Sequence, residues 1–348
     1  MRRASVSAER HCFPPLRTSV SATCSGLPPM RTLTCVGLLG PLAGCEGVQS
    51  AFSPFGSEAE STLRVTWAMV LGAAIITVAV LWLATYAVRS DTRRIDHKRG
   101  MRVILWLGAA GPTLILTTLL LYSLPAMRPL VAGPDDLRIV VDGEQFWWRV
   151  RYHSGNTGPV ETANEVRLPV GRMVTFELAS PDVVHSFWIP GLAGKMDMIP
   201  GRTNRLVVRA TRSGVFRGAC TEFCGLSHAR MAFDVVAMEP ESFDEWLAEL
   251  AQPARDVAGS GRQLFADYGC GGCHVVRGHA TGTPIGPDLT HFGGRRTLAA
   301  GTLPMTLEAI SAFIRDPALT KPGALMPGFV EMPVGDAKAI ATYLSELR

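Results

Sequence analysis

Two stretches of this chain carry no charged side chain, residues 65–88 and 103–127. Each exceeds the ~20 residues that a helix needs to cross the hydrocarbon core of a bilayer, so both predict membrane-spanning helices. Gly111-Pro112 falls inside the second, where proline removes a backbone hydrogen bond and predicts a kink that membrane helices tolerate. From about residue 135 to 240 the long apolar runs give way to short ones. Leu137-Arg138-Ile139, the run from Phe146 to Tyr152, Val174-Thr175-Phe176-Glu177-Leu178 and Leu206-Val207-Val208 alternate or are rich in β-formers, with Gly143, Gly155, Gly171 and Gly201 as punctuation. Many short strands with such turns predict a β-sandwich. Residues 241–258 read as a linker, small side chains dominating its end. Over 259–348 the period lengthens again: Leu307, Ile310 and Ile314 recur at helical spacing, Asp316-Pro317 stops that run, and Ile340, Leu344 and Leu347 mark a final helix. The expectation is a multidomain chain: a two-helix transmembrane hairpin over 65–127, a β-sandwich over 135–240, and a small all-α domain at the C-terminus.

Composition agrees with a chain partly in a membrane, since 47% of the residues are hydrophobic and mean hydropathy is +0.19. The formal net charge of +4 is spread out and gives no reason to expect a nucleic acid partner. Charge is informative in one place, the connector between the two apolar spans. Arg89, Arg93, Arg94, Lys98, Arg99 and Arg102 place it on the cytoplasmic side, so both outer ends face outward.

Residues 1–44 form a separate problem. Met30-Arg31 opens a basic start, an apolar stretch follows, and Leu42-Ala43-Gly44-Cys45 has the form of an export signal that resembles a bacterial lipobox. Cleavage there would leave Cys45 as a lipidated first residue. Residues 1–29 lack a hydrophobic region, so translation is expected to begin at Met30; the rival is an organellar transit peptide, which shares the Arg and Ser bias.

The chemistry is concentrated in residues 220–231, Cys-Thr-Glu-Phe-Cys-Gly-Leu-Ser-His-Ala-Arg-Met. Thiolate and thioether are soft ligands that favour copper, imidazole suits it as well, and Cys with His and a weak Met is a donor set for electron-transfer copper. Cys220 and Cys224 are close enough for each sulfur to bridge two ions. Each ion then needs one imidazole and one weaker donor: His228 and Met231 from the loop, His185 from Val184-His185-Ser186-Phe187-Trp188, and the backbone carbonyl of Glu222. Two alternatives stay open, a Cys220–Cys224 disulfide in an exported domain and a copper delivery protein.

A second centre is written at Cys270-Gly271-Gly272-Cys273-His274, the pattern for covalent c-type haem attachment with His274 as proximal ligand. Met326, in a Pro and Gly rich loop before the last helix, is the expected sixth ligand; Met332 and Met305 are rivals. A thioredoxin-like pair at Cys270 and Cys273 would leave His274 and the Met326 loop idle and lacks a βαβ setting.

The pattern C-x-E-x-C-G-x-x-H-x-x-M preceded by H-S-F-W-I-P resembles the binuclear CuA centre of cytochrome c oxidase subunit II, and Gly286-Pro287-Asp288-Leu289 resembles the segment beside the proximal His of small cytochromes c. The resemblance covers residues 45–348 and implies a cupredoxin-like sandwich joined to a class I cytochrome c domain. It implies two copper ions, one haem c and a magnesium ion shared with subunit I through Glu222, with His228 as the exit ligand toward that subunit. Partners would be subunit I, subunit III, and cytochrome c or another periplasmic donor. The setting would be a bacterial inner membrane, crossed more than once, with the C-terminal domains on the periplasmic face. Phe146 stands where many relatives have a tryptophan that admits electrons, which questions direct entry from a soluble carrier. No histidine lies in either span, so oxygen chemistry belongs to a partner. A membrane-tethered electron carrier is the remaining alternative.

Overall fold

The computed structural model of the chain describes residues 47–90, 96–153, 158–280 and 282–348. The expectations for 1–44 and for Cys45 lie outside them.

Helix α1 (Ser57–Arg89) and the helical segment α2 (His97–Met127) are both long and apolar enough to cross a membrane. Their Leu, Ile, Val and Trp side chains are exposed on every face, the pattern of a helix whose partner is lipid rather than a protein core. Within α2, residues Ile104–Ala110 are π-helical and Gly111 N–H bonds back to Trp106 O. This wider turn sits just before Pro112, which has no N–H to give and cannot continue an ordinary α-turn without crowding the preceding one.

Before α1, residues 47–56 run along the sandwich. Phe55 stacks on Phe216 with ring centroids 3.5 Å apart, and Phe55 N–H donates to Gly191 O at 2.7 Å. Helix α1 therefore leaves from a fixed point on the sandwich.

The sandwich comprises strands β1 (Leu137–Glu144), β2 (Trp147–His153), β3 (Val160–Ala163), β4 (Glu165–Pro169), β5 (Met173–Ala179), β6 (His185–Trp188), β7 (Met196–Met198), β8 (Asn204–Arg209), β9 (Gly214–Cys220) and β10 (Ala232–Met238). One sheet has the order β3-β2-β1-β5-β8 and the other β4-β10-β9-β6-β7. The β1–β5 and β4–β10 pairings are parallel, the rest antiparallel. Alternate residues of the strands face inward, and Trp148, Phe176, Phe187 and Phe233 fill the space between the sheets. Their rings meet at centroid separations of 4.8 to 5.7 Å, the range in which aromatic pairs add to simple burial.

Residues 241–258, expected to be a linker, begin with a helix. In α3 (Pro240–Leu250) Phe243, Leu247 and Leu250 are buried in the sandwich core, because their spacing of four and three places them on one helical face.

The C-terminal domain has α4 (Gly261–Asp267), α5 (Leu307–Arg315), α6 (Pro317–Thr320) and α7 (Val334–Glu346), with two two-residue strands, β11 (Thr297–Leu298) and β12 (Leu303–Pro304). Thr306 Oγ1 caps α5 by accepting from Ala309 N–H at 3.2 Å, and Asp316 ends α5 and caps α6, accepting from Leu319 N–H at 3.1 Å. Phe265, Ile310, Ile314, Ile340, Leu344 and Leu347 make its core. Leu307, expected on the same apolar stripe, is exposed: it opens α5, one turn before the face that packs against α7.

The two domains are docked. Ala232 N–H donates to Ala300 O at 3.1 Å, Arg296 N–H to a Glu165 carboxylate oxygen at 3.0 Å, and Arg217 to Gly301 O at 2.8 Å. Arg149 is buried at this boundary, bonded at 2.7 Å to both Glu144 and Glu161, and also donates to Pro284 O at 3.0 Å. Its guanidinium lies 4.6 Å from the centre of the Trp147 ring.

Candidate metal centre and haem crevice

Strand β9 ends at Cys220 and β10 begins at Ala232, so the loop between them hangs at one end of the second sheet. Strand β6 pairs with β9, Phe187 opposite Cys220, and this register brings His185 to the same end. Cys220 Sγ and Cys224 Sγ are 3.9 Å apart, far beyond the ~2.05 Å of a disulfide. His185 Nδ1 is 3.8 Å from Cys220 Sγ, and the Glu222 carbonyl oxygen is 3.2 Å from it. His228 Nδ1 and Met231 Sδ are 3.6 and 3.8 Å from Cys224 Sγ. Two donors that share one metal through bonds of ~2.0 to 2.3 Å at a tetrahedral angle stand ~3.3 to 3.8 Å apart, and the observed separations lie within about 0.1 Å of that span, which suits shared coordination. The soft donor chemistry suits copper, and all six candidate ligands converge here.

The two buried sulfurs act on each other: contact with Cys224, helped by His185, holds the Cys220 thiol far below its usual range, and the same contact pushes Cys224 up. Burial alone would lower the His185 pKa, but contact with Cys220 and with Asp182 outweighs it and raises the pKa. Asp182 Oδ1 lies 2.9 Å from His185 Nε2. That contact fixes Nε2 as the protonated nitrogen and leaves the Nδ1 lone pair for a metal. Burial pushes the Asp182 pKa up, and bonds from Gln145 N–H, His185 and Val183 N–H more than offset it, leaving the carboxyl below its usual range. Gln145 also donates through its side chain to the Cys224 carbonyl. The Glu222 side chain is exposed. Neither Asp182 nor Gln145 is expected from the sequence, where neither stands in a ligand-like pattern.

In the C-terminal domain Cys270, Cys273, His274 and Met326 line one cavity of about 440 Å³, within the range of a cofactor site. Cys270 and Cys273 are free thiols. His274 Nδ1 donates to Pro287 O at 2.9 Å, which leaves Nε2 as the free lone pair. Burial lowers the His274 pKa, keeping the ring neutral as an iron ligand requires. A side chain at Gly286 would stand 2.7 Å from His274 Cε1, so the residue that follows Ile285 has to be glycine for the ring to lie where it does. Met332 is packed in the domain core and does not line the cavity, whereas Met326 does; Met305 packs against that core from its edge. Arg295 also reaches the cavity, and its Nε is buried without a partner. A haem, which carries carboxylates on an apolar body, fits such a lining. His279 pairs with Tyr343 at 2.9 Å and His291 with the Gln252 carbonyl at 3.0 Å.

The cavity is not closed by its own domain. Gln145, Phe146 and Trp147 of the β1–β2 turn, with Asn164, Pro181 and Asp182, complete its wall. Asp182 thus touches both sites: it binds His185 and faces the crevice.

Residues 140–238 match the family described as the periplasmic domain of cytochrome c oxidase subunit II, and residues 258–348 match the cytochrome c family. A cytochrome c oxidase subunit 2 of Alkalihalophilus pseudofirmus is 43% identical over 62% of this chain and 63% of that protein. The subunit 2 of Bacillus sp. PS3 is 32% identical over 71% of this chain and 72% of its own length. The chain belongs to the cytochrome c oxidase subunit 2 family. The crystal structure of the periplasmic domain of subunit II of cytochrome oxidase (CoxB) of Bradyrhizobium japonicum aligns at 29% identity with a TM-score of 0.32, covering 35% of this chain and 96% of that one. Membership makes the chain a component of a terminal oxidase, membrane-anchored with an extramembrane portion, and its two matched domains imply copper and haem binding.

Proposed function

We propose that this chain is the electron-entry subunit of a bacterial haem–copper oxidase, with a binuclear CuA site and a covalent haem c on one polypeptide. The observation that carries the reading is the shared wall: the crevice lined by His274 and Met326 is completed by Gln145, which bonds the Cys224 carbonyl, and by Asp182, which bonds His185. When bound, the two groups would supply one-electron chemistry, taking electrons from cytochrome c or another periplasmic donor and handing them to subunit I, where oxygen is reduced to water with proton translocation.

The residues have distinct tasks. Cys270 and Cys273 would tether a haem, and His274 and Met326 would be its iron ligands. Pro287 O holds the His274 ring and Gly286 leaves it room. Cys220, Cys224, His185 and His228 would hold the copper, with Met231 and the Glu222 carbonyl as weaker donors. Asp182 sets the His185 tautomer. The Glu222 carboxylate, free because only its carbonyl faces copper, is available to a magnesium ion at the boundary with subunit I; subunit III completes the expected assembly. The domains sit on the periplasmic face of the inner membrane, with α1 and α2 spanning it and the basic connector inside.

The deciding experiment is metal and haem analysis of the intact purified membrane complex with its subunits identified. Two coppers and one haem c per chain, a large haem-bearing polypeptide, and oxygen-dependent oxidation of cytochrome c are expected. Zinc or a single ion in the sulfur site would overturn the CuA reading. Isolation without a catalytic subunit would leave a tethered electron carrier, and absence of haem with transferable copper would point to copper delivery.

A further inference from the structure

Residues 320–322 of the haem domain lie against the 220–231 loop and the β1–β2 turn. The Arg230 guanidinium donates to Thr320 O and the Lys321 ammonium to Phe146 O, while the Ser227 hydroxyl donates to Pro322 O at 2.8 Å. Lys321 is only 4% exposed, and among the described residues it has no carboxylate partner. Burial lowers the Lys321 pKa to about 7, with the Cys224 sulfur as the opposing influence, a cost that surface residues avoid by staying in water. Gly323 follows with φ +80°, and a Cβ there would lie 3.3 Å from both Leu226 Cδ1 and Phe146 Cε2. Close approach is thus built into the chain two residues after the lysine, and Met326 enters the crevice three residues later. At its other end the strap grips Ser227 and Arg230, the neighbours of candidate ligands His228 and Met231.

We propose that Lys321 is a positioning residue, pinning residues 320–322 so that the Met326 side of the haem crevice is held at a set distance from the 220–231 loop, which governs the rate of electron passage between the two sites. This rests on the reading of those sites as haem donor and copper acceptor. Electron tunnelling falls exponentially with separation, so loosening the strap slows transfer while leaving both donor sets intact. No ligand changes, and the slowing exceeds what the lost positive group beside Cys224 does to the copper potential.

The test uses the full chain in its purified complex, wild type and Lys321→Met, with the haem reduced by a light pulse and the electron followed into the copper absorption. The variant is expected to keep its copper and haem content and its haem potential, to lower the copper potential through loss of a positive group beside Cys224, and to transfer on the order of tenfold more slowly than that shift accounts for, as a small misplacement of reacting groups does. Lys321→Arg recovers part of the rate. An unchanged rate in Lys321→Met overturns the proposal, as does a slower rate accounted for entirely by a shifted potential. If Lys321→Met loses either cofactor, Ser227→Ala decides: it removes one strap contact and leaves the lysine, and slowed transfer supports the proposal while an unchanged rate overturns it. A wild-type protein whose reduced haem passes no electron to copper refutes the functional reading as well, an outcome distinct from a variant that matches a competent wild type.

Discussion

Replacing Asp182 with asparagine tests whether a carboxylate that is not itself a ligand sets the affinity of the copper site. Asp182 accepts from His185 Nε2 at 2.9 Å and from Val183 N–H at 2.6 Å through one oxygen, and from Gln145 N–H at 2.6 Å through the other. Asparagine has only one accepting oxygen. Turned toward His185 it aims an NH₂ group at the Gln145 N–H, and turned the other way it aims that group at His185 and Val183. Either orientation removes at least one bond, and leaving such a donor unmet costs about 1 to 3 kcal/mol. Losing the partner that orients a metal-binding histidine typically weakens binding about 10- to 100-fold, equivalent to about 1.4 to 2.7 kcal/mol. Loss of a negative charge beside His185 also raises the copper potential. Competition against a chelator of known affinity, with haem content as an internal control, reads the effect on the purified chain. Copper affinity within about threefold of wild type, or under 0.7 kcal/mol, would refute the reasoning and make Asp182 a turn residue only.

Met231→Leu is expected to retain copper, raise its potential and slow turnover; an unchanged potential in a redox titration argues against axial ligation. Met326→Ala should abolish the charge-transfer absorption of a methionine-ligated haem and lower its potential, while Met332→Ala should leave that absorption and instead destabilise the domain by about 2 to 5 kcal/mol, because it empties a core position. Visible spectra and thermal melting of the two variants, taken together, separate the roles. Gly286→Ala forces a methyl group to 2.7 Å from His274 Cε1, an overpacking worth about 1 to 3 kcal/mol, and should lower both haem incorporation and melting temperature; normal values for both would mean that the ring can move freely.

Much of the site was legible because its residues are close in sequence. Cys220, Glu222, Cys224, His228 and Met231 belong to one loop, and Cys270, Cys273 and His274 to one turn, so donor type and spacing already describe them. His185 could be named from its neighbours but not placed; the pairing of Phe187 with Cys220 places it. Asp182 and Gln145 carry no such signal, since an acid and an amide in a turn are ordinary until their partners are known. The helix at Pro240–Leu250 was visible in the spacing of Phe243, Leu247 and Leu250 and was obscured by the small residues that follow.

What the chain determines by itself is local: two uncharged spans long enough for a bilayer, strands marked by alternation, and clusters of soft ligands whose chemistry survives any packing. Tertiary structure alone decided that the haem crevice opens onto the copper domain, that Asp182 faces both sites, and that Lys321 reaches a carbonyl 175 residues away. The physical reason is that domain docking depends on the shape and hydrogen-bonding match of two finished surfaces, and no short-range period in a sequence records how those surfaces meet.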